Sequence, residues 1–198
     1  MADTGGKFPG FVVGQHYVGH GSYFWNSDNG AGLCNAALWA TQNNSGDSFN
    51  AFGYQNSDYT ALTDFGFSVP EGATIDGIFV EMRGNTYGNP TDVAVMQLMY
   101  NYDYIGHDFA YEHTAWENET SFQKLDYGGS TFLPENSPGE LTPEIVNDPT
   151  FGLMMQLGLQ GDPDNGGLFT MDFVRMTVYY TEAVLSIPPR CSVIVNHY

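Results

Sequence analysis

Apolar side chains recur at every second position in several short stretches of this chain, the period of a strand with one dry face and one wetter face. After the turn signal Pro70-Glu71-Gly72, the run 73–83 puts Ile78, Val80 and Met82 on one side and Phe79, Glu81 and Arg83 on the other. The run 151–160 lines up Phe151, Leu153, Met155, Leu157 and Leu159, and 169–180 sets Val174, Met176 and Val178 against Phe173, Arg175 and Thr177. Between these two lies Asp162-Pro163-Asp164-Asn165-Gly166-Gly167, turn chemistry that predicts an antiparallel hairpin. Positions 93–100 alternate with Ala94, Met96 and Leu98 on one face, and Tyr102-Asp103-Tyr104 carries the strand on toward a turn at Gly106. Further strands are expected within 33–41, 60–69 and 122–127. The one helical scrap is Leu141-Thr142-Pro143-Glu144-Ile145-Val146, where Thr142 can cap, Pro143 sits at a first-turn position and Pro149 blocks extension.

Gly and Pro punctuate the chain so often that long helices have little room. About eight short strands with turns between them are too many for a flat sheet of this size and call for two layers. The predicted fold is therefore all-β: a two-sheet antiparallel β-sandwich of jelly-roll kind over 25–182, with extended arms at 1–24 and 183–198. Both arms are apolar enough to need a surface. Phe11, Val12 and Val13 in the first, and Val184, Leu185, Ile187, Val193, Ile194 and Val195 in the second, are the candidate subunit contacts.

Charge narrows the partners. Against 23 acidic residues there are 5 Lys and Arg, a formal net charge of −18. Neutralising phosphates needs clustered cations, so nucleic acid is excluded as a partner, and anionic membrane surfaces are disfavoured for the same reason. Disorder is excluded too, because 14 Phe, 13 Tyr and 3 Trp are far too many rings for a disordered acidic chain. No apolar window approaches the roughly 18 residues of a membrane span, and Met1 to Lys7 lacks the basic flank and apolar run of a signal peptide. The expectation is a protein that stays in the compartment where it is made. Cys34 and Cys191 fit neither a metal spacing nor a disulfide framework and read as two buried thiols.

Catalytic chemistry finds no constellation, so no catalytic, cofactor or metal residue is assigned. His107 and His113 lack a third ligand at metal spacing, and His16 and His20 lie in a Gly-rich stretch with no helix to align them. Asp162-Pro163-Asp164-Asn165-Gly166 and Asn26-Ser27-Asp28-Asn29-Gly30 begin like calcium loops but lack the bidentate Glu; turn formation accounts for both. No Gly-x-Ser-x-Gly elbow or phosphate loop is present. The more informative set is aromatic: Tyr23, Phe24, Trp25, Tyr54, Tyr59, Tyr87, Tyr102, Tyr104, Tyr111 and Trp116. Flat rings with a polar edge suit sugar faces and protein interfaces alike, whereas Trp39 and Trp116 are expected in the core.

Several blocks in series carry a resemblance. They are Phe65-Gly66-Phe67-Ser68-Val69-Pro70-Glu71-Gly72-Ala73-Thr74-Ile75-Asp76-Gly77-Ile78-Phe79-Val80, then Thr114-Ala115-Trp116, Tyr127-Gly128-Gly129-Ser130-Thr131, Leu141-Thr142-Pro143-Glu144-Ile145, Asn147-Asp148-Pro149-Thr150-Phe151-Gly152 and Met171-Asp172-Phe173-Val174-Arg175-Met176-Thr177-Val178-Tyr179-Tyr180. In kind and order they resemble a β-sandwich domain recurrent in structural proteins of tailed bacteriophages and prophages, over residues 58–181. The resemblance implies a virion component and no enzyme. The expected role is a capsid decoration or cement protein on the outer surface of the virion, made in the host cytoplasm. It would bind the major capsid protein or another virion protein through the apolar termini, as a closed homo-oligomer such as a trimer. The alternative is a carbohydrate-binding β-sandwich module associated with a tail fibre or baseplate.

Overall fold

A computed structural model of the chain describes residues 1–15, 47–52, 55–57, 59–88, 90–110, 116–117, 121–134, 141–159 and 166–183. The strands are β1 (Ala2–Asp3), β2 (Phe11–Gln15), β3 (Asp47–Phe52), β4 (Gln55–Asn56), β5 (Tyr59–Thr63), β6 (Thr74–Tyr87), β7 (Thr91–Tyr100), β8 (Asp103–Ile105), β9 (Gln123–Gly128), β10 (Gly152–Leu159) and β11 (Gly166–Thr181). Among the described residues one short helix, α1 (Pro143–Asn147), precedes β10. Every strand pairing among the described residues is antiparallel. A five-stranded sheet runs β1-β11-β6-β9 with β3 also on β11, and a six-stranded sheet runs β2-β5-β10-β7-β8 with β4 also on β10. The protein is thus a two-sheet antiparallel β-sandwich.

The core lies where the alternation puts it. Ile78, Val80 and Met82 of β6, Val174, Met176 and Val178 of β11, and Leu153, Met155 and Leu157 of β10 are all buried in one cluster. Trp116 belongs to it, stacked at a tilt 4.7 Å from Phe169, with its indole N–H donating to the Gln123 carbonyl at 3.2 Å. Helix α1 forms as the sequence predicts: Thr142 is extended and its hydroxyl accepts from the Ile145 amide, while Pro143 opens the first turn. The side chain of Asn147 then grips Val69, accepting from its N–H and donating to its carbonyl, both at 2.8 Å.

Four details differ from the sequence expectation. The strands β10 and β11 do not form a hairpin; they lie in different sheets. Each is apolar on one face, so packing those faces across the sandwich buries more surface than pairing their edges would. On β7, Gln156 faces Val95 while Leu157 faces Val93, so Ala94 is an extra residue in a bulge and Val93 takes the inward position. The strand expected over 60–69 ends at Thr63, where Asp64 turns with φ 58°. Finally, 102–104 does not continue β7. The chain reverses at Asn101–Tyr102, and β8 returns along it.

Of the segment 1–24, residues 1–15 run along both sheets. Ala2 pairs with Tyr180, Lys7 bridges Met176 and Val12 pairs with Leu62, which carries the chain from one sheet to the other. Val12 is 4% exposed inside the core, so this apolar residue is spent within its own domain. Phe11, one position earlier, faces the opposite way and is 54% exposed.

Candidate functional site

The outer face of the five-stranded sheet holds three of the five Lys and Arg of the chain. Arg175 of β11 sits opposite Glu81 of β6, and Lys124 lies on the neighbouring β9, so both cations converge on one carboxylate. Arg175 donates to Glu81 through Nε and, at 2.7 Å, through Nη2; Lys124 pairs with Glu81 and, at 3.1 Å, with Asp126. Arg83 reaches the buried Asp172 at 2.7 Å, in the bulge of β11 beside Phe173. Rings interleave the charges: Arg83 lies over Phe122, Lys124 over Phe79 and Arg175 over Phe173, which meets Phe8 edge-on at 6.0 Å. The two guanidinium bonds from Arg175, aided by Lys124 and opposed by burial, hold the Glu81 carboxyl below its ordinary value. A carboxylate held ionised by two cations is a poor proton donor or acceptor near neutral pH. This face is a closed structural ladder.

The described crevice beside α1, about 280 Å³, is lined by Ala73, Thr74, Ile75, Leu133, Leu141, Thr142 and Pro143. It carries no titratable side chain. Neither it nor the ladder supplies the acid, base or nucleophile that catalysis needs.

Among the described residues, most of the exposed large hydrophobic side chains are aromatic: Phe11, Tyr87, Tyr102 and Tyr104. The β7–β8 connection is a two-residue turn between paired Tyr100 and Asp103, with φ of 52° at Asn101 and 66° at Tyr102. Two left-handed residues match a type I′ turn, whose second position favours glycine. Tyrosine there is strained by about 1 kcal/mol or more, and the residue is 76% exposed. Thr150 clamps the turn. Its hydroxyl accepts from the Asn101 N–H at 3.1 Å and lies 3.2 Å from Asn101 Oδ1, while Asp148 Oδ1 accepts from the Thr150 N–H at 2.8 Å and its hydroxyl at 2.6 Å.

Tyr104 follows on β8, 43% exposed. Register sets Phe11, Thr63, Gly152, Met99 and Tyr104 side by side across five strands of the six-stranded sheet, on its outer face. Met99 of that row forms a small buried cluster with Ala61 and Met154, and Tyr59 packs against it. The row is thus buried along its middle, at Thr63, Gly152 and Met99, and ends in two exposed rings, Phe11 and Tyr104. The extra ring of Tyr102 stands at the tip beyond Tyr104.

Of the aromatic residues singled out from the sequence, Tyr87, Tyr102 and Tyr104 are exposed, Tyr59 is half-buried and Trp116 is core. Tyr87 sits opposite the exposed Leu168, well away from the tip in strand register. Tyr23, Phe24, Trp25, Trp39, Tyr54 and Tyr111 lie outside the described residues. So do His16, His20 and His113, the calcium-like loops apart from Gly166, Cys34 and Cys191, and the C-terminal contacts Val184, Leu185, Ile187, Val193, Ile194 and Val195. Val13 pairs with Ala61 through its backbone. Sequence reasoning missed the turn and its clamp; Asn at a position that tolerates left-handed backbone was the sole cue.

No family model matches the chain, and no curated protein matches it. Among solved structures, the N-terminal cellulose-binding domain of the Cellulomonas fimi β-1,4-glucanase C is similar at 11% identity and a TM-score of 0.35, over 92% of this chain and 95% of that chain. A superposition that loose adds nothing to the sandwich described above.

Proposed function

We propose that the chain is a non-catalytic carbohydrate-binding β-sandwich module carried on a virion, with Tyr102 and Tyr104 as its sugar-contacting rings. One observation carries this reading: the most exposed aromatic residue among the described ones is held on left-handed backbone, where glycine would be less strained. An exposed phenol contributes little to folding, so strain at that position points to a ligand. Tyrosine offers an apolar face for the C–H face of a sugar and a polar edge for its hydroxyls, at low entropic cost.

A glycan array followed by calorimetry tests it. Tyr102→Gly should raise folding stability by up to about 1 kcal/mol through relief of strain, while it and Tyr104→Ala each weaken sugar binding about tenfold or more. Wild-type affinity in both variants, or no bound glycan at all, would end the carbohydrate reading.

A second reading keeps the virion and gives the chain a different role, that of a capsid decoration protein that attaches through residues 183–198 and works by burying apolar area at each symmetric copy. The series of sequence blocks described above favours it. Removing 183–198 should then abolish attachment to purified particles and leave the sandwich folded. Unchanged attachment by the truncated chain would discard this role.

A further inference from the structure

We infer that Thr150, itself fixed by Asp148, is a positioning residue that holds the Asn101–Tyr102 turn in its ligand-ready shape; the inference rests on the carbohydrate reading of the hairpin tip. The turn and the clamp come from segments 49 residues apart, so the contact is made by the fold and not by the hairpin itself. The geometry is specific. The Thr150 hydroxyl oxygen accepts from the Asn101 N–H at 3.1 Å, and that hydroxyl has a single proton, shared between Asp148 Oδ1 at 2.6 Å and Asn101 Oδ1 at 3.2 Å. The shorter bond takes the larger share of the proton, and a lone pair of the same oxygen accepts from the Asn101 N–H. Asp148 also accepts from the Thr150 backbone N–H at 2.8 Å, so its carboxylate sets both the position and the rotamer of Thr150. Asp148 ends α1, whose other side is tied to Val69 through Asn147. The clamp therefore anchors the hairpin to α1 and, through Asn147, to Val69.

A strained two-residue turn whose Tyr is 76% exposed gains little from side-chain packing to keep it in one state. Without the clamp the tip samples other backbone conformations, and affinity falls in proportion to the population that remains competent. Thr150→Val keeps the shape of the side chain and removes the hydroxyl; Thr150→Ser keeps the hydroxyl. Two readouts separate positioning from mere structure: solvent exchange of the Asn101 amide by NMR, and affinity for whichever glycan the wild type retains on the array.

Thr150→Val is expected to speed Asn101 exchange about tenfold, the worth of one hydrogen bond, and to weaken glycan binding several-fold, with a urea midpoint lowered by no more than the loss of that one bond. Thr150→Ser should restore both. Faster exchange with undiminished affinity would overturn the positioning role, and unchanged exchange would overturn the clamp itself. If the wild type binds no glycan, the carbohydrate reading fails, and the clamp stands or falls on Asn101 exchange alone.

Discussion

Gly152→Val is expected to leave no folded, soluble protein. Gly152 lies in β10, between β5 and β7 in the six-stranded sheet, opposite Thr63 on one side and Met99 on the other. A Cβ at this position would stand 1.9 Å from the Leu62 carbonyl oxygen, 2.9 Å from its carbon and 3.0 Å from the Thr63 Cα. All three are backbone atoms, so no rotamer change relieves the overlap. β5 would have to part from β10, and with it the packing of Leu62 and Leu153 in the core. A cost above about 4 kcal/mol approaches or exceeds the lower end of the 5–15 kcal/mol that holds a typical domain together. Even Gly152→Ala meets the same carbonyl. By contrast, Gly129→Ala meets nothing within 4 Å and should behave like the wild type. Circular dichroism and urea unfolding of the three variants check this. A cooperative transition at the wild-type midpoint for Gly152→Val would show that β5 and β10 are not paired as described.

Glu81→Leu has the second-largest expected effect, a loss of about 2–3 kcal/mol. The figure sits below the range for fully buried ion pairs, because Arg175 and Lys124 reach solvent and recover part of their hydration. Removing the carboxylate leaves Arg175 beside Phe173 without its counter-ion, whereas Lys124 keeps Asp126. The double variant Glu81→Leu with Arg175→Met should therefore be more stable than Glu81→Leu alone. The pH dependence follows from the direction of the shift. The folded Glu81 carboxyl titrates below its ordinary value of 4.5, so the unfolded chain takes up the proton first as pH falls. Its stabilisation is complete above that ordinary value and drains away as pH drops toward the depressed one. In urea titrations from neutral pH down to about pH 2, the wild type should lose stability more steeply than Glu81→Leu. Parallel acid limbs would contradict the ladder.

The parity of side chains made the core legible. In β6, and in β11 beyond its bulge at Asp172, each face was readable residue by residue, and even the wetter face, with Glu81, Arg83 and Arg175, was visible as such. Thr142 and Pro143 announced α1 by capping chemistry that acts within one turn. What escaped were choices that parity does not constrain. A strand that is apolar on one side can pair with its sequence neighbour or pack across from it, so β10 and β11 looked like a hairpin. A bulge shifts the period by one, which is why Ala94 took the place that belongs to Val93. The reversal at Asn101–Tyr102 carries no glycine, and its clamp comes from Thr150, far along the chain. The apolar character of Val12 was visible, but whether it met its own sheet or a neighbour's was not a local property.

The most direct test of the sugar-binding role is an NMR titration of the intact chain with the glycan retained on the array, following the ring protons of the tyrosines. Tyr102 and Tyr104 should shift together and saturate at one affinity, while Tyr87, on the other sheet, stays in place. Saturable shifts confined to Tyr87 or to other residues, with the tip rings unmoved, would contradict it.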